Sequence, residues 1–204
     1  MQLAIRHSGA WIPWAENSPS AKSEHESALR RHVKSTGTDL SSAIRVAERL
    51  GGTSFGLGDD RTVTPKSGKT GLARGPVFCD YPTIKEMAMA VEEARSGVVA
   101  VLEGPPSIIR VPLAGWAAAV GAVDALTGTP AEPVPDEIRS RFEQLALYGN
   151  NGYHRGAGEN VQVMVPTIAR EIREAGFDDD FIVSYLLAYG LSADDVAGLR
   201  KMIG

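Results

Sequence analysis

One cysteine in 204 residues, Cys79, excludes an internal disulfide and with it the disulfide-framed secreted domains. Long apolar runs are missing too. The longest charge-free one, "VPLAGWAAAVGAV" at 111–123, has 13 residues, short of the roughly 18–20 that a membrane span needs. Arg6 and His7 interrupt the opening "MQLAIRHSGAWIPW", so it does not read as a signal peptide. Histidine is scarce, and His25 and His32 stand seven apart. A zinc-binding helix favours a gap of four, which brings both imidazoles to one ion. Internal repeats and low-complexity tracts are absent. These absences predict a cytoplasmic chain with no membrane segment.

What is present fits an ordinary globular protein: 43% apolar and 23% charged residues, in a length that suits one domain with appendages. The charge is unevenly placed. Residues 1–75 carry a balance of +4 and residues 76–204 one of −8. A basic segment on an acidic body admits a weak nucleic-acid reading. Four excess charges over 75 residues do not favour it against docking on an acidic protein surface.

The pattern predicts an α+β fold: a small central βαββα unit, a C-terminal four-helix region and an N-terminal helical arm. The expected divisions are an arm at 1–51, a Gly/Pro/basic connector at 52–75 and a core domain at 76–204. In the arm, Ser23 with Glu26 has the capping-box spacing, and Leu40, Ile44, Ala47 and Leu50 repeat at helical period. In the connector, "TSFGL" and "RTVTP" are expected to pair as a hairpin. The core divides into the βαββα unit at 76–127 and helices at 136–204. "PVFCDY" and "GVVAVLEG" read as strands around a helix opened by Thr83 and Glu86, with "IIRV" returning antiparallel. Helical stripes follow at Leu113–Val123, Ile138–Leu145, Val161–Ile172, Phe181–Leu187 and Val196–Ile203.

Several constellations invite chemistry. Ser67-Gly68-Lys69-Thr70 resembles the end of a phosphate loop, but Val63 occupies the position of the required first glycine, and "GLARGP" cannot open a helix. What remains is a basic loop, with Lys66, Lys69 and Arg74 as candidate anion ligands. Asp80 and Glu103 end two expected parallel strands, the edge where α/β sheets bind ligands. Two carboxylates there are candidates for catalysis or for holding Mg²⁺ with a substrate phosphate. Cys79 alternates to the opposite face from Asp80. His154, in the polar loop "NNGYHRGAGEN", is the third candidate catalytic group. "FDDDF" lacks the ligand spacing of a calcium loop and suits a first helical turn. Trp11, Ile12 and Trp14 lie in an irregular, proline-containing segment and need a cover, which makes them the expected interface residues.

The leading expectation is therefore an interaction or assembly subunit that touches neighbouring protein subunits through its N-terminal arm, as in a homo- or hetero-oligomeric particle, viral or phage particles included. The alternatives are a small enzyme acting on a phosphorylated or anionic substrate, with Mg²⁺ as an option, and a weak nucleic-acid binder. No metal site and no particular cofactor is legible.

Overall fold

The computed structural model describes residues 4–14, 22–51, 53–67, 75–105, 112–149 and 152–204, without the side chain of Arg155. The described strands are β1 (Ser8–Ile12), β2 (Ile44–Val46), β3 (Thr62–Val63), β4 (Val77–Asp80), β5 (Val98–Leu102) and β6 (Val123–Asp124). They form one sheet in the order β3-β2-β4-β5-β1-β6. Every pairing in it is parallel. Parallel strands need crossovers and have both faces covered, and the continuous apolar run of β5 is the sequence consequence.

One face is sealed by α1 (Lys22–Ser35). Ala10, Ile12, Phe78, Ala100 and Leu102 point to that face and meet Ala28, Leu29 and Val33 of the helix. The other face carries α2 (Ile84–Ala94) and α3 (Ala114–Val120). There Val77, Cys79, Val99 and Val101 pack with Met87, Ala90, Trp116 and Ala117. Beyond this layer lie α4 (Asp136–Tyr148), α5 (Glu159–Glu174), α6 (Asp179–Leu187) and α7 (Ala193–Ile203). Gly115 lets α6 approach α3, since a Cβ there would lie 2.2 Å from the Phe181 carbonyl oxygen. Gly9 does the same for β1 and α3, where a Cβ would come within 2.6 Å of Val120.

The mixed helix-and-sheet composition expected from the sequence is present, but its arrangement differs. Helices and parallel strands are interleaved, which is the α/β pattern rather than α+β. The N-terminal segment does not project as an arm, because Ser8–Ile12 enters the sheet between β5 and β6. Gly9 and Pro13 made that stretch look irregular, while its register with Val98–Leu102 and its cover by α3 are long-range facts. The helix expected from Asp39 to Leu50 is replaced by an Asp39–Ser41 turn, with the Ser41 amide donating to Asp39 at 2.8 Å, and by β2. Ile44, Arg45 and Val46 are all buried, and pairing with β3 and β4 overrides their helical period. The hairpin around Gly58–Asp60 is replaced by a 3-10 turn, Asp59–Arg61, that feeds β3. The strand expected at "IIRV" lies outside the described residues. The helix expected to reach Val123 stops at Gly121, which is left-handed with φ 62°.

Two capping pairs form as their spacing predicts. The Thr83 amide donates to Glu86 at 2.6 Å, and Ser192 accepts from the Asp195 amide at 3.1 Å. The Ser23–Glu26 spacing is put to another use, described below.

His7 anchors the amino end of β1. Its Nε2 accepts from the indole N–H of Trp116 at 3.1 Å, and the side chain is 6% exposed. Burial pulls the imidazole down to about 4. The unfolded chain takes up this proton near pH 6.5, the folded one only near 4. The contribution is complete above pH 6.5 and is lost as the pH falls through 4, and over that window it amounts to about 3 kcal/mol. Urea denaturation at pH 7 and at pH 4.5 should show wild type losing more stability on acidification than His7→Gln, which keeps an acceptor but cannot titrate. Equal losses would show that His7 does not carry the effect.

Candidate functional site

In the sheet order, β2 leads outward to β3 and β4 leads the other way, through α2, to β5. Adjacent strands whose connections diverge leave a crevice outside their carboxyl ends, and α/β sheets bind ligands in such crevices. Here it is built from Asp80, the last residue of β4, from the segment after β2, and from the first two turns of α1.

One stripe of α1 organises it. Lys22, Glu26 and Arg30 follow one another at four-residue spacing and so share a helix face. The Lys22 ammonium bonds the Asp80 carboxylate and lies 3.3 Å from Ser54 Oγ and 3.6 Å from Glu26. Ser54 donates to Asp80 at 3.0 Å. Glu26 accepts from the Phe55 amide at 2.9 Å, and Arg30 donates to the Phe55 carbonyl. Both sides of the Phe55 backbone are thus held by the same helix. Ser23 is already the second residue of the helix, so it is not the N-cap that a capping box with Glu26 would need.

The clamp holds an unfavourable conformation. Phe55 and Gly56 both have positive φ, 55° and 65°, and the Leu57 amide donates to the Ser54 carbonyl at 2.9 Å. That is the type I′ pattern, with phenylalanine where Asn, Asp or Gly is usual. The buried Phe55 ring packs on Phe78 at 4.9 Å, which keeps the side chain there despite a backbone cost of about 1–2 kcal/mol. Tyr81, next to Asp80, also has positive φ, 51°. Its ring lies 5.3 Å below the Lys22 ammonium.

The electrostatics are balanced. Burial acts to lower the Lys22 ammonium, but the hydrogen bond and charge of Asp80, with Glu26, outweigh it, and the net direction is upward. Lys22 is therefore a cation, and its side chain is 41% exposed while that of Asp80 is 13% exposed.

Asp80 and Glu103 do reach the same sheet edge, yet their carboxylates do not meet. The register pairs Asp80 with Leu102, and Glu103, one residue on, turns to the opposite face. There it accepts from the Trp11 indole at 3.0 Å, from the Trp14 amide at 3.3 Å and from the Leu113 amide at 2.8 Å. Burial raises the Glu103 carboxyl above its ordinary value, against the pull of these three bonds. It ties β1 to the start of α3 and has no oxygen left over for a shared metal. Among the described residues no group of three or more His, Cys, Asp or Glu is placed to hold a metal ion.

The remaining candidates fall elsewhere. His154 sits by the connector between α4 and α5, where its Nδ1 accepts from the Gly156 amide at 3.1 Å. Beside it Tyr153 is buried and donates to the Leu145 carbonyl at 2.7 Å, while His154 itself is exposed. Cys79 is wholly buried, and burial, with Glu86 and Asp80 nearby, pushes its thiol well up. Lys66 is exposed in the Thr64–Ser67 turn, while Lys69 and Arg74 lie outside the described residues. Trp11 and Ile12 belong to β1, Ile12 being 1% exposed, and Trp14 is 38% exposed. In "FDDDF", Asp178 caps α6 by accepting from the Phe181 amide at 2.7 Å, and Asp179 pairs with Arg173 at 2.6 Å. No helix among the described residues is long and apolar enough to cross a membrane.

Sequence reasoning missed Lys22, Glu26, Arg30 and Ser54 as a group. The four-residue spacing on α1 was readable. That it meets Phe55, 25 residues beyond Arg30, was not.

The clamp inverts a familiar order of substitutions. Phe55→Ala removes the ring and keeps the strained φ; Phe55→Gly removes both. Urea denaturation should find Phe55→Ala destabilised by about 3 kcal/mol or more and Phe55→Gly more stable than the alanine variant by about 1 kcal/mol. The usual order, alanine above glycine, would mean that no strain is held at this turn.

Compared with family models, with curated proteins and with solved structures, the chain matches none of them.

Proposed function

We propose that this chain is a small-molecule enzyme whose substrate is phosphorylated or otherwise anionic and whose site is the crevice at the carboxyl ends of β2 and β4. The observation that carries this reading is the Lys22–Ser54–Asp80 cluster at the point where the strand connections diverge. Lys22 lies in the first turn of α1, where the helix dipole also favours an anion. Lys22 and Arg30 balance Glu26 and Asp80, so an incoming phosphate meets no net negative charge. In this reading Lys22 binds a phosphate or carboxylate oxygen. Asp80 accepts a proton from a substrate hydroxyl or from water, and Ser54 and Lys22 keep it oriented. Glu103 and His154 have no part in it. The positive φ at Phe55 and Tyr81 fits a site whose geometry is held against a local cost.

The assembly role loses its hook in this account. Of its three interface residues, Trp11 and Ile12 serve the sheet and Glu103.

Thermal shift and calorimetry with a panel of nucleoside and sugar phosphates, each with and without Mg²⁺, test the proposal. At least one compound should stabilise wild type. Lys22→Gln should weaken its binding about tenfold or more, that is by about 1.4 kcal/mol. Asp80→Asn should bind the same compound while losing turnover. The reading fails if nothing in the panel stabilises the folded protein, or if a bound compound is indifferent to Lys22→Gln in a variant that melts like wild type.

A further inference from the structure

The opposite end of the sheet carries a second concavity that the proposed site does not use. Residues 4–7 lead into β1, and two clefts flank them. One, of about 770 Å³, lies between α3, α4 and α6 and is lined by Ile5, Ala118, Ala119, Val134 and Leu147 among others. The other, of about 680 Å³, lies between the ends of α2 and α6 and is lined by Arg6, His7, Glu92, Arg95 and Ser96 among others. Ala4 and Tyr189 line both, so the clefts meet. Each falls in the size range of small-molecule sites.

The two halves differ in chemistry. The first has an aliphatic wall from residues 4–5 and α3, faced by Arg139, Ser140, Glu143 and Gln144 of α4, with Leu147 60% exposed at its rim. The second offers two exposed arginines against one acid. The carbonyl ends of α2 and α6 lie close by and offset part of that charge. Both arginines stay exposed beside them. The backbone of Arg95 adds a separate indication. It ends α2 at φ 51° and ψ −97°, where glycine is the relaxed choice. Arginine held there at a cost points to a use for its side chain.

We infer that this amino-edge groove binds an amphipathic monoanion, a long-chain carboxylate, with its head on Arg6 and Arg95 and its chain in the cleft between α3, α4 and α6. Guanidinium forks match a carboxylate in two parallel hydrogen bonds, and the aliphatic wall of the other cleft takes the chain out of water. Tyr189 stands where head and chain join. This site is independent of the crevice at the carboxyl edge and does not rest on the function proposed there.

Fluorescence titration of the full chain with cis-parinarate, a fluorescent long-chain carboxylate, tests it. Binding should be saturable, reversed by dodecanoate, and weaker with rising salt. The Arg6→Gln/Arg95→Gln double variant, altered only at exposed side chains, should weaken it by about tenfold or more. Ala119→Trp, which fills the cleft between α3, α4 and α6, should abolish it. If that variant does not fold, the salt dependence and the arginine variant decide alone. Absence of saturable binding to wild type, displacement by uncharged dodecanol as effective as by dodecanoate, or unchanged affinity in the double variant overturns the inference.

Discussion

Five residues, Ser8–Ile12, pair along their whole length with Val98–Leu102, 90 positions further along the chain, and β6 then adds to their other side. The organisation of the molecule follows from this insertion. With β1 deep in the sheet, the chain must cross β5 and β4 to reach β2, and α1 is the crossing. That route lays α1 over Phe78, Ala100 and Leu102 and brings its first turns to the carboxyl ends of β2 and β4. Were β1 free, Lys22 would have no reason to lie near Asp80, and the segment around Ser54 would lack its clamp.

The same insertion explains the role of Glu103. A buried carboxylate is costly unless it is hydrogen-bonded, and Trp11, Trp14 and Leu113 donate to both oxygens of this one. The acid binds the end of β1 to the start of α3. On the other face, Asp80 meets a lysine and a serine. Two acids that look equivalent at the ends of neighbouring strands thus acquire different work, because a side-chain period of two sends consecutive register positions to opposite faces. One carboxylate is consumed by structure, and the other stays at a half-open edge beside a cation.

Much of the outer shell was legible. The strands at Val77–Asp80 and Val98–Leu102, the helix between them and the C-terminal helices follow from apolar period and from pairs such as Thr83–Glu86 and Ser192–Asp195, whose partners are three residues apart. Local signals of that kind survive folding because both partners arrive together. β1 and β2 were not legible. Gly9 is a poor strand residue until Val120 and Trp116 need the space above it, and Ile44–Val46 reads as helix until β3 and β4 pair with it. The candidate site was half legible. Asp80 could be placed at the carboxyl edge from strand order, but its partners come from α1 and from the turn at Phe55.

By itself, then, the sequence determined a chain with no internal disulfide, an apolar β5 that must be buried on both faces, the capped helices of the second half, and an acid at the end of β4. Each depends on composition or on neighbours within a turn of the backbone. Only the tertiary structure decided that β1 enters the sheet, that Glu103 faces away from Asp80, and that Lys22, Glu26 and Arg30 close on Phe55 and Asp80. These rest on pairings 25 to 92 residues apart, whose energy appears only once the intervening chain has folded and paid the entropy of closing those loops.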